Sequence, residues 1–339
     1  MATEVNIGSY YTLVDLMKTG FADNGRAIFV AQTLARKNPI VKEVPIIEAN
    51  QALSHVGGRQ LALPTVGKRA INEGVVIAAH KEVPVTAPMS LFETASQIDI
   101  ELLKLAGGGP AADVLRQRKD AAFIEAMAQA VADEIINGSI GDDALGFNGL
   151  ATMFNSSTTY PNGESTWFYN VQLAGGSSSA LASIYVCEWG VDKMHLIYPK
   201  NTMGGLEITD RGEQWVAGSA ATKKFWAKVT QFVWRCGLFV ADERCCQRIA
   251  NIEKSGNDYL FDENLLITAL NRLPDSGENP ATRIYVNRTV KTQMEIRVKD
   301  KNNMFVTNFA DAFGVPVLRF RGVPVQVLDT LNTDETAIS

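Results

Sequence analysis

The chain reads as an α+β protein, on three observations. One segment, Ala112 to Gly138 (ADVLRQRKDAAFIEAMAQAVADEIING), has the composition and apolar spacing of a single long helix. Before it, Val44 to Leu91 breaks into short β-prone pieces; after it, Phe225 to Val240 (FWAKVTQFVWRCGLFV) is dominated by aromatic and β-branched residues. With 46% hydrophobic and 20% charged residues over 339 positions, the chain is globular and long enough for two or three domains.

The long helix is the organising element. Pro110 before it and Gly138 after it supply stop signals, and Asp113 is placed to cap the first turn. Ile124, Met127, Val131 and Ile135 recur at three- and four-residue steps, while Arg116, Lys119, Asp120, Gln129 and Asp133 fall mostly on the other side. At about 1.5 Å per residue such a helix extends on the order of 40 Å, the length of a spine for an extended subunit.

Upstream, Arg26 to Lys37 (RAIFVAQTLARK) reads as a short amphipathic helix that ends at Asn38-Pro39. VPIIEA, RQLALPTV and EGVVIAAHKEVPVT, separated by Gly57-Gly58, Gly67 and Asn72-Glu73-Gly74, then suggest a long hairpin. Pro64, Pro84 and Pro88 argue against a central sheet, so a projecting arm that finishes its packing on another chain fits best, with an ordinary edge sheet as the alternative. TASQIDIELLKLAG is read as helical, and Gly107-Gly108-Gly109 breaks it from the spine. The triple glycine is not a phosphate loop, because no Lys-Ser/Thr pair follows it.

Past the spine, GDDALGFNGLATMFN is a turn-rich joint, and the Ser-, Thr- and Gly-rich stretch from Asn155 to Ser178 marks a subdomain boundary. SALASIYVCEWGV and HLIY are expected strands of a second core. ADERCCQRIANI and DYLFDENLLITALNRL are read as helical, RIYV as a buried strand and NRTVKTQMEIRVK as a helix. FGVPVLRFRGVPVQVLDTL gives one or two strands meeting near Arg321-Gly322.

Composition excludes several function classes. A formal charge of −5 and a pI near 5.4 do not suit a primary nucleic-acid binder, which needs clustered excess cations. No apolar run approaches the roughly 18 residues of a membrane span, and the first residues carry no signal-peptide pattern. Cys187, Cys236, Cys245 and Cys246 are expected as buried or incidental thiols of a reducing compartment. His55, His80 and His195 lie far apart in sequence without ligand spacing, so no metal is expected. Asp142-Asp143 falls in turn-like sequence and Asp242-Glu243 opens a segment read as helical, so neither pair is assigned acid–base work. Arg118, Lys119, Lys223 and Lys224 are read as solvated charges. No catalytic, cofactor-binding or metal-binding residue is assigned.

The order of parts resembles the major capsid proteins of tailed bacteriophages, with the shell fold named after phage Hong Kong 97. The phrases that carry the resemblance are LPTVGKRAINEGV, FETASQIDIEL, FNGLATMF, SIYVCEWGVDKMHLIYPK, GLEITDRGEQW, GLFVADERCCQRIANI and FRGVPVQVLD, spread from about Lys42 to Asp329. The resemblance implies an N-terminal arm over 1–43, an extended hairpin loop over 44–93 and a peripheral domain over 94–165 built on the spine 112–138. It further implies an axial domain over 166–310 and a C-terminal strand in 311–339 that returns to the peripheral sheet.

It also implies a structural role without catalysis or cofactor. Copies would assemble as hexamers and pentamers of an icosahedral shell around double-stranded DNA, with no sequence-specific binding and no membrane. Scaffolding and portal proteins, and a decoration protein in some systems, would be partners, with assembly in the host cytoplasm. Some members of the family cross-link neighbours through a Lys and an Asn; no motif here identifies such a pair. The alternatives are an encapsulin-like compartment, an enzyme using Asp242, Glu243 and Arg244, and a tail or adhesion protein.

Overall fold

The spine helix runs Gly109–Asn137, one turn earlier than the sequence suggests, because Gly109 and Pro110 join its first turn, where the missing proline N–H loses no hydrogen bond. Asp113 therefore lies inside the helix and not at its cap. The structure is a computed structural model that describes residues 36–74, 77, 79–157, 170–217, 224–256, 258–300, 306–310, 316–332 and 334–338. All of the predicted helix over Arg26–Lys37 except Arg36 and Lys37, which are not helical, and much of the predicted boundary over Asn155–Ser178 lie outside these residues.

Along the chain the strands are β1 (Ile46–Glu48), β2 (Ser54–Ala62), β3 (Lys81–Pro88) and β4 (Ser90–Asp99), followed by helices α1 (Ile100–Leu105) and α2, the spine. Then come β5 (Val171–Leu173), β6 (Leu181–Glu188), β7 (Met194–Tyr198), β8 (Leu206–Ala217), β9 (Lys224–Val240) and β10 (Cys246–Glu253). The last elements are α3 (Glu263–Arg272), β11 (Thr282–Val286), α4 (Arg288–Asp300), β12 (Val306–Ala310), β13 (Pro316–Phe320) and β14 (Val323–Val327). The described chain falls into two units: Arg36, Leu91–Val131 and Gly205–Arg235 in one, and Lys37–Ser90, Ala132–Gly204 and residues 236–338 in the other.

In the first unit, Gly107, Gly108 and Gly109 all hold positive φ (103°, 62° and 49°) and turn the chain from α1 into α2. Leu115 buries against Leu102 and Ala106, and Phe123 stacks on Phe232 of β9 with ring centroids 5.9 Å apart. Arg116, on the side expected to face water or a neighbour, is largely covered: its Nη2 donates to Thr230 Oγ1 at 2.8 Å and to Asp210 at 2.9 Å. The buried face changes along the helix, from Leu115 near the start to Met127, Val131, Ile135 and Ile136 further on. Ile124 shares the angular position of the later stripe but is 36% exposed, because periodicity gives the facing and not the axial extent of the cover.

In the second unit a seven-stranded sheet has the order β12-β13-β14-β11-β6-β10-β5. Residues Leu266, Ala269 and Leu270 of α3 and Val290 and Met294 of α4 bury in one cluster with Ile184, Val186, Ile249 and Ile284 of its central strands. Strand β6 is buried at every position, Ser183 and Glu188 included, so it shows no alternation of apolar and polar residues. The end of β9 pairs antiparallel with β7, and β1 pairs parallel with β7, Ile46 opposite Leu196.

Past the spine, the Phe-Asn-Gly-Leu joint closes on the helix end. Gly149 N–H donates to Gly138 O at 2.8 Å, Thr152 Oγ1 to the same oxygen at 2.7 Å, and Phe147 N–H to Glu134 Oε1 at 2.9 Å. Phe147 and Leu150 are buried. A Cβ on Gly138 would lie 2.5 Å from two carbonyl oxygens, so glycine is required there by close approach.

Several expectations are corrected. TASQID is strand, not helix: it alternates, with Ser96 and Ile98 buried, and the helix starts only at Ile100, where Asp99 Oδ1 accepts the Glu101 N–H at 2.9 Å. QRIANI is strand β10, preceded by one 3-10 turn at Glu243–Cys245; Gln247, Arg248 and Asn251 are buried polar residues that mask its character. Ile46–Glu48 belongs to the β7 sheet and not to the hairpin. The region 166–310 does not hold together as one domain, since Gly205–Arg235 groups with the spine's first part. The C-terminal strand does not return to the strands of the spine segment: β14 pairs parallel with β11, Val286 opposite Val327, and its alternate residues Val323 and Val325 enter the core of the seven-stranded sheet. Strand β12 has no counterpart in the sequence pattern.

Candidate functional site: the hairpin arm

Strands β2 and β3 pair antiparallel from Ser54 opposite Pro88 out to Ala62 opposite Lys81 and form a two-stranded sheet of their own. Between them the described residues of 63–80 are exposed. Leu63, Val66, Ile71 and Ile77 are 78%, 91%, 90% and 95% exposed, so four large aliphatic side chains face outward on a segment with no core of its own. Lys68 and Arg69 lie among them; Arg69 Nη1 donates to Glu73 O at 3.2 Å, and the Glu73 carboxylate accepts the Ala70 N–H, closing a local turn at Asn72.

The base of the arm is pinned differently. Asn50 brackets Val56, donating to its carbonyl at 2.7 Å and accepting its N–H at 3.0 Å, and Asn50 N–H donates to His55 Nδ1 at 3.3 Å. At Gly57 a Cβ would lie 2.3 Å from Phe239 Cζ, so glycine lets the β9 ring lie flush against the arm. Two residues on, Arg59 Nη1 donates to Glu243 at 2.5 Å and Nη2 to Val240 O at 3.3 Å. A cavity of about 260 Å³ lies beside these groups, lined by Arg59, Val85, Phe147, Met153, Phe239 and Glu243 among others.

Three of the remaining sequence candidates, Asp143, Asp242 and Glu243, do structural work. Asp242 Oδ1 caps the 3-10 turn at Arg244 N–H (3.0 Å) and its carboxylate pairs with the Arg244 guanidinium at 2.6 Å, while Glu243 holds Arg59. Asp143 accepts the Leu145 N–H at 2.9 Å. Lys224 is exposed, and Lys223 lies outside the described residues. The four cysteines are buried and free; burial pushes the Cys236 thiol up to about 12, which makes it inert. His80 stays on the arm beside Glu82, whereas His55 and His195, distant in sequence, meet across Phe239 with ring centroids 6.2 Å apart. That contact depends on β2 meeting the β7–β9 sheet, a juxtaposition that spacing cannot reveal. Among the described residues no group of three His, Cys, Asp or Glu is placed to hold a metal, and no described helix is long and apolar enough to cross a membrane.

Leu63, Val66, Ile71 and Ile77 thus leave an apolar surface in the open beyond a pinned base, beside polar groups already consumed in structural pairs. The chain belongs to the major capsid protein GP7 family, whose model matches residues 22–339. It is thus a capsid shell protein of a tailed phage, a component of the virion. Its fold is similar to that of a chain in the cryo-EM structure of bacteriophage Epsilon15, at 21% identity and a TM-score of 0.69, with 99% of each chain covered. The capsid of bacteriophage JBD30 matches at 16% identity and a TM-score of 0.49 over 94% of this chain and 98% of that one. An SrpI encapsulin complex from Synechococcus elongatus matches at 10% identity and a TM-score of 0.43, over 74% and 97%. A search of curated proteins found no match.

Proposed function

We propose that copies of this protein close into an icosahedral head shell of hexamers and pentamers that encloses double-stranded DNA without reading its sequence, and that the arm is laid over a neighbouring copy. The observation that carries this reading is the run Leu63, Val66, Ile71 and Ile77 exposed beyond a pinned base. Covering one such side chain contributes about 1.5–3 kcal/mol, against about 0.5–1.5 kcal/mol for ordering it, so four together favour a neighbour's surface over water. In this reading residues 44–93 are the crossing loop, and the spine with 94–165 and the β8–β9 hairpin forms the peripheral part. The seven-stranded sheet is then the axial part.

The net charge of −5 supports an inner wall that encloses DNA without gripping it. The role is structural, without catalysis or cofactor, in line with Asp143, Asp242 and Glu243 being spent on turns and ion pairs. Assembly takes place in the host cytoplasm, with a scaffolding protein, a portal and, in some heads, a decoration protein as partners.

The test replaces residues 63–80 with a short Gly-Ser linker. The expected result is a subunit that melts cooperatively by calorimetry and forms no closed shells by electron microscopy, where the intact protein, supplied with its scaffolding partner, does. Normal shells from the variant would overturn the role of the arm, and an intact protein that stays monomeric under all assembly conditions would overturn the shell itself.

A further inference from the structure

We propose that the base of the arm is a proton-sensitive hinge, in which His55 and His195 hold the arm on the sheet as neutral rings and release it when they take up protons. The chain has three histidines, and two of them meet here. His55, on β2 of the arm, lies edge-on to Phe239 with centroids 4.5 Å apart; His195, on β7, lies 5.3 Å from the same ring. His55 Nδ1 accepts the Asn50 N–H, and an imidazolium has no lone pair to accept with, so the first proton sets donor against donor at the point where Asn50 grips the arm. A second proton puts two cations side by side against an apolar ring. His195 Nδ1 is buried without a hydrogen-bond partner, so its proton would enter a site that water scarcely reaches.

The charges around the pair come from every element that packs on it. Arg59 on β2 is a third cation, neutralised by Glu243 after β9. Asp192 and the carbonyls of Gly190 and Val191, in the turn before β7, favour a charged His195, while Glu48 on β1 is taken up by the Asn201 N–H at 2.9 Å. Burial outweighs these and holds both imidazoles below the usual histidine value of 6.5. The closed arm therefore binds fewer protons than the open one. Closure is fully favoured above the open-state value and weakens as pH falls through about 6.5 toward the lower closed-state values.

The inference rests on the arm being the assembly element only for its consequence; the hinge itself is read on unassembled subunits. Hydrogen–deuterium exchange, corrected for intrinsic rates, compares amides of Ser54–Arg59 at about pH 7.5 and about pH 5.5, with β6 and β10 as references for intact folding. A several-fold rise at the lower pH, confined to the arm base, is expected in the wild type and in His80→Gln, whose ring sits away from the pair, and should vanish in His55→Gln/His195→Gln. If the double variant loses β6 and β10 protection as well, His55→Gln alone carries the comparison. Wild-type protection that is equal at both pH values would overturn the hinge. So would a pH response that survives the histidine substitutions, which would assign the titration to another group such as Glu134.

Discussion

Arg248 Nη2 and Glu335 Oε2 lie 2.9 Å apart in a nearly dry site, with the two side chains only 4% and 13% exposed. The same guanidinium donates to Ser183 Oγ, Ala151 O and Phe154 O and lies 5.3 Å from the centre of the Tyr185 ring. One side chain thus joins β6, β10, the joint after the spine and the C-terminal segment, whose Glu335 also pairs through its backbone with Leu181. Breaking such a pair from one side leaves an uncompensated buried charge, and Arg248→Met should destabilise the subunit by about 3–5 kcal/mol. Arg248→Met/Glu335→Leu should recover part of that loss, and the two denaturation midpoints measure it.

The spine offers a facing test. Val131 is fully buried, so Val131→Asp should remove several kcal/mol and abolish soluble folding. Gln129 donates to Glu125 Oε1 at 2.7 Å on a partly exposed face, so Gln129→Ala should lose no more than about 1 kcal/mol. Equal soluble yield and thermal midpoint for the two variants would contradict the burial described here.

At the arm base, Gly57→Ala would drive a methyl into Phe239 and should destabilise by about 1–3 kcal/mol. Phe239→Leu withdraws the ring atoms concerned. The double-mutant cycle should therefore return a coupling energy of about 0.5–3 kcal/mol, whereas strict additivity would mean that ring and glycine do not touch.

Glu134 gives a pH dependence of its own. Burial raises its carboxyl above the usual 4.5, opposed by the Phe147 N–H bond and reinforced by Asp143 and Asp133. The native state therefore holds this proton more tightly than the unfolded chain does, a contribution fully present below 4.5 and lost as pH rises through the raised native value. Glu134→Gln keeps an oxygen for Phe147, so its thermal midpoint relative to wild type should improve between about pH 4 and about pH 7. A constant difference across that range would sink the assignment.

Much of the fold was legible because local signals and tertiary demands agreed. The spine, RIYV, NRTVKTQMEIRVK and the Arg321-Gly322 turn all combine a clear period with a stop signal. Legibility failed where tertiary context supplied the decisive term. Strand β10 is buried in mid-sheet with Gln247, Arg248 and Asn251, and its segment reads as helical because the partners that make Arg248 and Asn251 tolerable there, Glu335 and the Ile338 carbonyl, lie far away in sequence. TASQID runs straight into a helix, so one apolar rhythm covered two elements. The arm was visible from its prolines and glycines; its seat was not, since Asn50, Gly57, Phe239 and His195 meet only after β2 lands beside β7 and β9.

A ribbon of two strands has two open edges, each a row of backbone groups ready to accept a strand from any passing chain. Pro84 and Pro88 remove two donors from β3, and Gly57-Gly58, opposite Val85 and Pro84, weakens β2. Indiscriminate strand addition is thereby discouraged during the interval between translation and shell closure. What remains available for association is the set of side chains at the far end, which must be matched in shape and not merely in hydrogen-bond spacing. If the arm crosses to a neighbouring copy as proposed, the ribbon would trade a fast, promiscuous mode of sticking for a slower and selective one, the kinetic condition for a lattice that grows with few errors.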